Sequence, residues 1–535
     1  MKKNTKLIIF GIDGGDWRLF NRLIEKGFMP NLKKIKESGT IGLLRSSFPP
    51  VTAPAWVSFA TGKEPGKTGI FYFLKFKHNL SEFKPITSDD IQGETFYKTL
   101  YEAGYRCILV NLPVSYPPQI AETVITGILT QDENNFLAPL SLKREIPELE
   151  NYRFSPNADY LVSGDYDMYA QSIREIEKNR FKIGKKLFFR DWDFFFYLFS
   201  GSDWIQHHKF HELNILSKKI GNHIIGIYND LDEYLGWFID NMPQHSNIIL
   251  MSDHGFETYK ASFNINYWLK THGYLSLEKK NDNLAPNLVN KEIDKARNRR
   301  RRIKIPGSIL KYLDNPINQY IYEKMKRLIP LDIGYPNIGP NCQKTMAYNP
   351  YDAVIGLIYL NTKNDFEDGT VESNQYQKLL KNIMVELQRV EQTIPLETSW
   401  EVKPGAEVYR NSDGIKIPDI VLISDNIKCD INPSKRNVFT KQISEGHSMY
   451  GMFLAYGSDI NRGNIENITI CDLAPTILHM FDVPIYKDID GRVIREIFKK
   501  ESEYRHRAVK YFESDIAEKK LLKEKIKNLK LTGKL

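Results

Sequence analysis

Unbroken apolar runs that empty into an acidic residue constrain this chain more than any other feature. KLIIFGID (6–13), RCILVNLP (106–113), WDFFFYLFSGSD (192–203) and NIILMSDHG (247–255) are of this kind or close to it. Continuous apolar runs of such length read as strands buried on both faces, the pattern of a parallel sheet. Helical patterns separate them, as in LFNRLIEKGFMPNLKKIKESG (19–39) and YAQSIREIEKNRFKIGKKLF (169–188). Strands alternating with helices predict an α/β sandwich. Functional sites in such sheets form at the carboxyl ends of the strands. Asp13, Asp203 and Asp253 each follow an apolar run at that end.

At 535 residues and 62.2 kDa the chain exceeds one simple core, so two or three structural units are expected. A first part of the core spans 1–275, and its remainder spans 351–500. Between them, 276–350 is polar, arginine-rich and short of strand signals, and reads as an insertion or cap. The last stretch, 501–535, reads as a charged helical tail. Much of the net charge of +8 lies in RNRRRRIKIP (297–306) and in that tail. The arginine run reads as a solvated loop; contact with nucleic acid or a membrane surface has only charge in its favour. Oligomeric state is not legible. The four cysteines, Cys107, Cys342, Cys429 and Cys471, form no C-x-x-C pair. That disfavours a zinc ribbon or a disulfide framework. The apolar run Leu7 to Phe10 is too short for a signal peptide, and no stretch approaches the ~20 apolar residues of a membrane span. A cytoplasmic location is the expectation.

Chemistry gathers in a few places. GIDGGDW (11–17) begins like a phosphate-binding loop of actin-like sugar kinases, but Asp16 and Trp17 stand where such a loop continues with a hydroxyl residue. In FPPVTAPAWVSFATG (48–62), Thr52 precedes a short helix that stops at Gly62 and is placed as an N-cap; the same position aims the helix terminus at any anion beside the hydroxyl. SGSDWIQHHKFHE (200–212) puts Asp203 and His207 on one helix face, with His208 and His211 as rivals. SDHG (252–255) pairs Asp253 with His254, and ISEGHSMYG (443–451) offers His447 in a glycine-flanked loop. Three carboxylates, three imidazoles and a hydroxyl are mixed N/O ligands suited to zinc, or to manganese if the site is harder. They are too many for one catalytic zinc and about right for two ions.

The order Asp … Thr … Asp-x-x-x-His … Asp-His … His resembles the alkaline phosphatase superfamily, in its type I phosphodiesterase/nucleotide pyrophosphatase branch. PPVTAPAWVSFATGKEPGKTGIF, NLPVSYPP, MSDHGF, GHSMYGMFLAYG and DLAPTILHMFDVPIYKDIDGRV carry the resemblance, which spans residues 6 to ~500. It implies an alkaline phosphatase-like three-layer α/β/α sandwich with a mostly parallel central sheet and an inserted cap. It also implies a metal-dependent hydrolase acting on a phosphorylated small molecule, most naturally a phosphodiester or nucleotide pyrophosphate. Asp13, Asp253 and His254 would hold one divalent ion beside Thr52, and Asp203, His207 and His447 a second; both ions would be Zn2+, with Mn2+ as the alternative. Thr52 would be the nucleophile and form a phosphothreonine. The family's usual asparagine near a His-Gly-Ile segment is missing from KTGIFYFLK (67–75), and Asn111 is the candidate substitute for substrate binding. TAPAW (52–56) lacks the cysteine or serine and the arginine of a sulfatase motif. The absence of membrane spans removes the membrane phosphotransferases. A phosphomonoesterase or phosphomutase, and a non-catalytic binder of a phosphorylated ligand, remain as alternatives.

Overall fold

A computed structural model describes residues 5–279, 303–305, 331–333, 338–394, 396–412, 414–432 and 437–512. Most of the arginine-rich run and the tail beyond 512 lie outside the described residues. The centre is a nine-stranded sheet. In chain order its strands are β1 (Leu7–Ile12), β2 (Thr40–Arg45), β3 (Cys107–Leu112), β4 (Thr123–Thr126), β5 (Leu137–Ala138), β6 (Phe194–Phe199), β7 (Asn247–Met251), β8 (Tyr450–Gly457) and β9 (Gly463–Thr469). Their spatial order is β9-β2-β8-β7-β1-β6-β3-β4-β5. The run β7-β1-β6-β3-β4 is parallel throughout, whereas β8 is antiparallel to both its neighbours and β5 is antiparallel to β4.

Alternation within β1 shows why its sequence is apolar at nearly every position. Ile8, Phe10 and Ile12 face one core, and Leu7 and Ile9 face another. The first core is closed by α1 (Trp17–Glu25), α3 (Tyr166–Phe188), α4 (Gly201–Asn214) and α5 (Asn222–Asn241). The opposite face is covered by α2 (Thr52–Thr61), the helix Phe96–Glu102 and α6 (Leu473–Met480). Phe194, Phe195 and Phe196 are completely buried, each worth ~1.5–3 kcal/mol of removal from water. The 19–39 helical pattern becomes two helices, α1 and Pro30–Lys36, because the turn at Gly27 (φ +81°) and Pro30 at a helix start interrupt it.

A second, four-stranded sheet lies outside the central one, built from Ala347–Tyr348, Gly356–Leu360, Glu401–Pro404 and Ile420–Ile423. The helix Ser373–Val390 buries Ile383 and Leu387 in its core. Leu277–Lys279 pairs antiparallel with Ile338–Pro340, so the two ends of the segment between them are brought side by side. Among the described residues no helix is long and apolar enough to cross a membrane.

Candidate metal centre

β1, β6 and β7 lie side by side and parallel, so the loops after all three open at one edge of the sheet. Those loops carry Asp13, Asp203 and Asp253. Asp13 donates its backbone N–H to the Phe199 carbonyl (2.9 Å), which ties the first two loops together. Gly14 then takes a left-handed turn (φ +66°), where a Cβ would also stand 2.7 Å from the Phe256 ring. Its N–H donates to Asp253 Oδ1 at 3.2 Å. A residue other than glycine at 14 would thus push the first loop away from the third.

Asp203 sits in the first turn of α4, and one turn later His207 returns to the same face. Asp203 Oδ1 lies 3.3 Å from His207 Nε2 and 3.4 Å from His447 Nε2, with 3.0 Å between the two nitrogens. His447 arrives from far along the chain. Its strand, Ser444–Ser448, pairs antiparallel with Gly255–Tyr259, the strand that follows the Asp253–His254 pair, with His447 directly opposite Phe256. The His447 Nδ1–H donates to the Pro50 carbonyl (2.9 Å), leaving the Nε2 lone pair facing Asp203.

The second trio is Asp13, Asp253 and His254, whose donor atoms lie within 4.8 Å of one another, as do those of the first. His254 Nε2 is 3.2 Å from Asp253 Oδ2 and 3.7 Å from Asp13 Oδ1. Its Nδ1–H donates to the Gly255 carbonyl at 3.1 Å. The His254 and His447 rings stack face to face, 3.6 Å between centroids, so the two trios share a wall.

Thr52 is the first residue of α2, and Val51 is its N-cap, with no side-chain capping bond at that end. The cap expected of Thr52 is therefore corrected: its hydroxyl makes no capping bond to the helix amides. It lies 3.3 Å from His254 Nε2, to which it donates, because that ring carries its proton on Nδ1.

The electrostatics of the trios fit divalent cations. Asp13 Oδ1, Asp203 Oδ1 and Asp253 Oδ2 are buried without a hydrogen-bond partner, a costly state for carboxylate oxygens. Burial, and then repulsion between the carboxylates, pushes Asp13 and Asp253 well above the usual carboxylate range. Burial also acts on Asp203, but His207 and His447 outweigh it and hold Asp203 well below that range. His254 is held well below the ordinary imidazole range by burial and then by His447; burial lowers His447 too. His254 and His447, kept neutral by burial, present Nε2 toward buried carboxylate oxygens that lack a hydrogen-bond partner, a donor set that fits a divalent cation.

Neither rival histidine joins the trios among the described residues. His208 packs against Tyr166 and Tyr169, and burial lowers it to about 4. His211 lies in the last turn of α4. Asn111 is buried in a left-handed conformation (φ +67°); its amide donates to the Leu198 carbonyl (3.2 Å) and Ser200 Oγ (3.0 Å), and its Oδ1 accepts from Tyr152 (3.3 Å). A cavity of about 810 Å³ opens over Asp13, Thr52, Asp203, His207 and His447, with Asn111 also in its wall.

Sequence reasoning missed Asp16. It caps α1 by accepting from the Arg18 N–H (2.8 Å) and also accepts from the Phe256 N–H (3.2 Å), binding the first loop to the strand beside His254. Its place ahead of a helical pattern was the one signal available.

The family model described as type I phosphodiesterase / nucleotide pyrophosphatase matches residues 7–340. No curated protein matches the chain in sequence. Among solved structures, an inactive threonine-to-alanine variant of murine ectonucleotide pyrophosphatase/phosphodiesterase 5, in complex with AMP, superposes with a TM-score of 0.50 at 12% identity, covering 92% of this chain and 100% of that one. A second structure of the murine protein gives a TM-score of 0.48 at 12% identity over the same shares. The likeness at 0.50 speaks for the fold, the alkaline phosphatase-like α/β architecture.

Proposed function

The chain belongs to the type I phosphodiesterase/nucleotide pyrophosphatase family of hydrolases, and on that premise we propose that it cleaves phosphodiesters or nucleotide pyrophosphates at a two-metal site through a phosphothreonine. The observation that carries this reading is the pair of adjoining trios of carboxylates and imidazoles, with Asp13, Asp203, His207, His447 and the helix-terminal hydroxyl of Thr52 lining one cavity. Asp13, Asp253 and His254 would hold one ion and Asp203, His207 and His447 the other, with zinc favoured by the imidazoles and manganese the alternative. Bound there, divalent ions supply positive charge that offsets charge building on a phosphoryl group and lowers the pKa of a neighbouring hydroxyl.

Thr52 Oγ1 attacks phosphorus. As the bond from Thr52 Oγ1 to phosphorus forms, the P–O bond to the ester leaving group breaks, the hydroxyl proton ends on the departing ester oxygen, and Thr52 becomes a phosphothreonine. The first turn of α2 directs backbone N–H groups and the positive end of the helix dipole toward the transferred group. Water then attacks the same phosphorus and Thr52 leaves with its oxygen, so two in-line displacements retain configuration. Asn111 flanks the reacting group in this scheme. To contact a phosphoryl oxygen its amide would exchange a bond now made to Leu198 or Ser200. A cytoplasmic location belongs to the same proposal, supported by four buried, unpaired thiols.

The test is turnover of bis(p-nitrophenyl) phosphate after zinc or manganese loading, with p-nitrophenyl phosphate as the monoester control. Because the murine variant is held with AMP, nucleotide diesters are the next substrates to try. Thr52→Ala should bind both ions yet lose turnover by a factor of ~1,000 or more. Undiminished hydrolysis by that variant would remove Thr52 as nucleophile. Two bound ions with no hydrolysis of either ester class would favour the binding-protein reading.

A further inference from the structure

Glu177 and Arg180 form an ion pair on α3 that no motif predicted. Their side chains are 0% and 1% exposed, and Arg180 Nη1 lies 3.2 Å from Glu177 Oε1. A completely buried pair is a weak source of stability, because desolvation offsets most of the attraction. Its contacts, rather than its strength, show what it does.

Glu177 Oε1 accepts the backbone N–H of Ser200 at 3.0 Å. That amide opens α4, and Asp203 lies within the same turn. The orphan donors of such a turn would ordinarily be satisfied by a nearby capping side chain. Ser200, the N-cap, makes no such bond. A carboxylate from a different helix takes its place. Gly201 makes the approach possible: a Cβ there would stand 2.7 Å from Ile173 and 3.3 Å from Glu177 Cγ.

The rest of that turn is held just as firmly. Ser200 Oγ accepts from the Asn111 amide, Ser202 Oγ donates to the Asp13 carbonyl (2.6 Å), and Gln206 Nε2 donates to the Gly14 carbonyl (2.9 Å). Arg180 continues the network into the cavity wall. It donates to the Arg153 carbonyl (2.9 Å) and lies over the rings of Tyr152 and Trp204, at 5.4 and 5.1 Å from their centroids. Trp204 adjoins Asp203 in the chain.

We propose that Glu177, neutralised by Arg180, is a positioning residue: a remote cap that fixes the first turn of α4 and so sets Asp203 between His207 and His447. This inference rests on the metal-site reading above. It predicts an asymmetric dependence, since Glu177 bonds to the Ser200 amide leading to Asp203 and makes no described bond to Asp253 or His254. The outer partners of metal-ligand groups are typically worth 10–100-fold in affinity.

Calorimetric zinc titration of the full-length protein tests it, with near-ultraviolet circular dichroism as the check on tertiary packing. Wild type should show two sites. Glu177→Leu should weaken one site by about 10–100-fold and leave the other within about threefold. Glu177→Gln keeps an oxygen on the Ser200 amide but loses the charge, so it should weaken the same site by about three- to tenfold. Should Glu177→Leu fail to fold, Glu177→Gln decides alone. Wild-type affinity at both sites in Glu177→Gln, or equal weakening of both in either variant, overturns the inference, because a merely structural role would not select one ion. A wild type that binds no metal would instead overturn the underlying metal-site reading.

Discussion

The two trios share a wall yet solve opposite electrostatic problems. Asp203, His207 and His447 put one carboxylate among two imidazoles, and His207 keeps 39% of its side chain exposed. The two imidazoles hold Asp203 well below the usual carboxylate range despite its burial. Asp13, Asp253 and His254 put two carboxylates beside one imidazole with almost no exposure, and both carboxyl groups are driven upward. The first trio sets a single carboxylate against two imidazoles. The second needs charge from outside the chain, either protons or a cation. A metal site and a pair of protonated carboxyls are thus two answers to one buried excess of negative charge.

Asparagine substitutions should break this symmetry most visibly. In metal-loaded protein, Asp13→Asn and Asp203→Asn should each cost more than the ~10–100-fold in metal affinity that an outer partner is worth, measured by competition with a chelator. In chelated protein near pH 7 the two should part company in thermal melts. Asp13 has a raised folded value, so its contribution is present in acid and is lost as pH rises through that value. Asp13→Asn should therefore raise the metal-free melting point. Asp203 has a lowered value, so its contribution is present above the unfolded value of ~3.9 and is lost as pH falls through the folded one. Asp203→Asn should lower the melting point. Shifts of the same sign would show that the trios do not differ as described.

A milder probe is proton release. Zinc binding near pH 7 should expel protons from Asp13 or Asp253, seen as a binding enthalpy that varies with the buffer's ionisation enthalpy. Asp13→Asn should reduce that release and Asp203→Asn should leave it. Smaller still, Asn111→Ala should lower kcat/KM for a diester by up to about tenfold, the worth of a hydrogen bond or two, with both ions retained. His208→Phe, outside both trios, should keep zinc affinity and kcat/KM within about twofold; a larger loss would make His208 a ligand after all.

Legibility followed distance along the chain. Asp13 and Asp253 could be read because each ends an apolar run, and strand-end position is a local property. His207 could be paired with Asp203 because a helix repeats every 3.6 residues. Its choice over His208 rested on the family resemblance, and the structure adds that Tyr166 and Tyr169 occupy the other imidazole's surroundings. Thr52 looked like a cap because local pattern cannot see His254, the partner that draws its hydroxyl away. Glu177 carries no local signal that sets it apart within its helical pattern, although it lies completely buried.

From its residues alone this chain determined a buried parallel sheet and the acids at its strand ends, because both follow from which side chains leave water and where each run stops. Tertiary structure decided that His447, 240 residues beyond His207, comes within 3.0 Å of it, and that a glutamate on one helix caps another. Hydrophobic periodicity acts over a turn or a strand, whereas a metal site is set by which loops the closed sheet brings to a single edge.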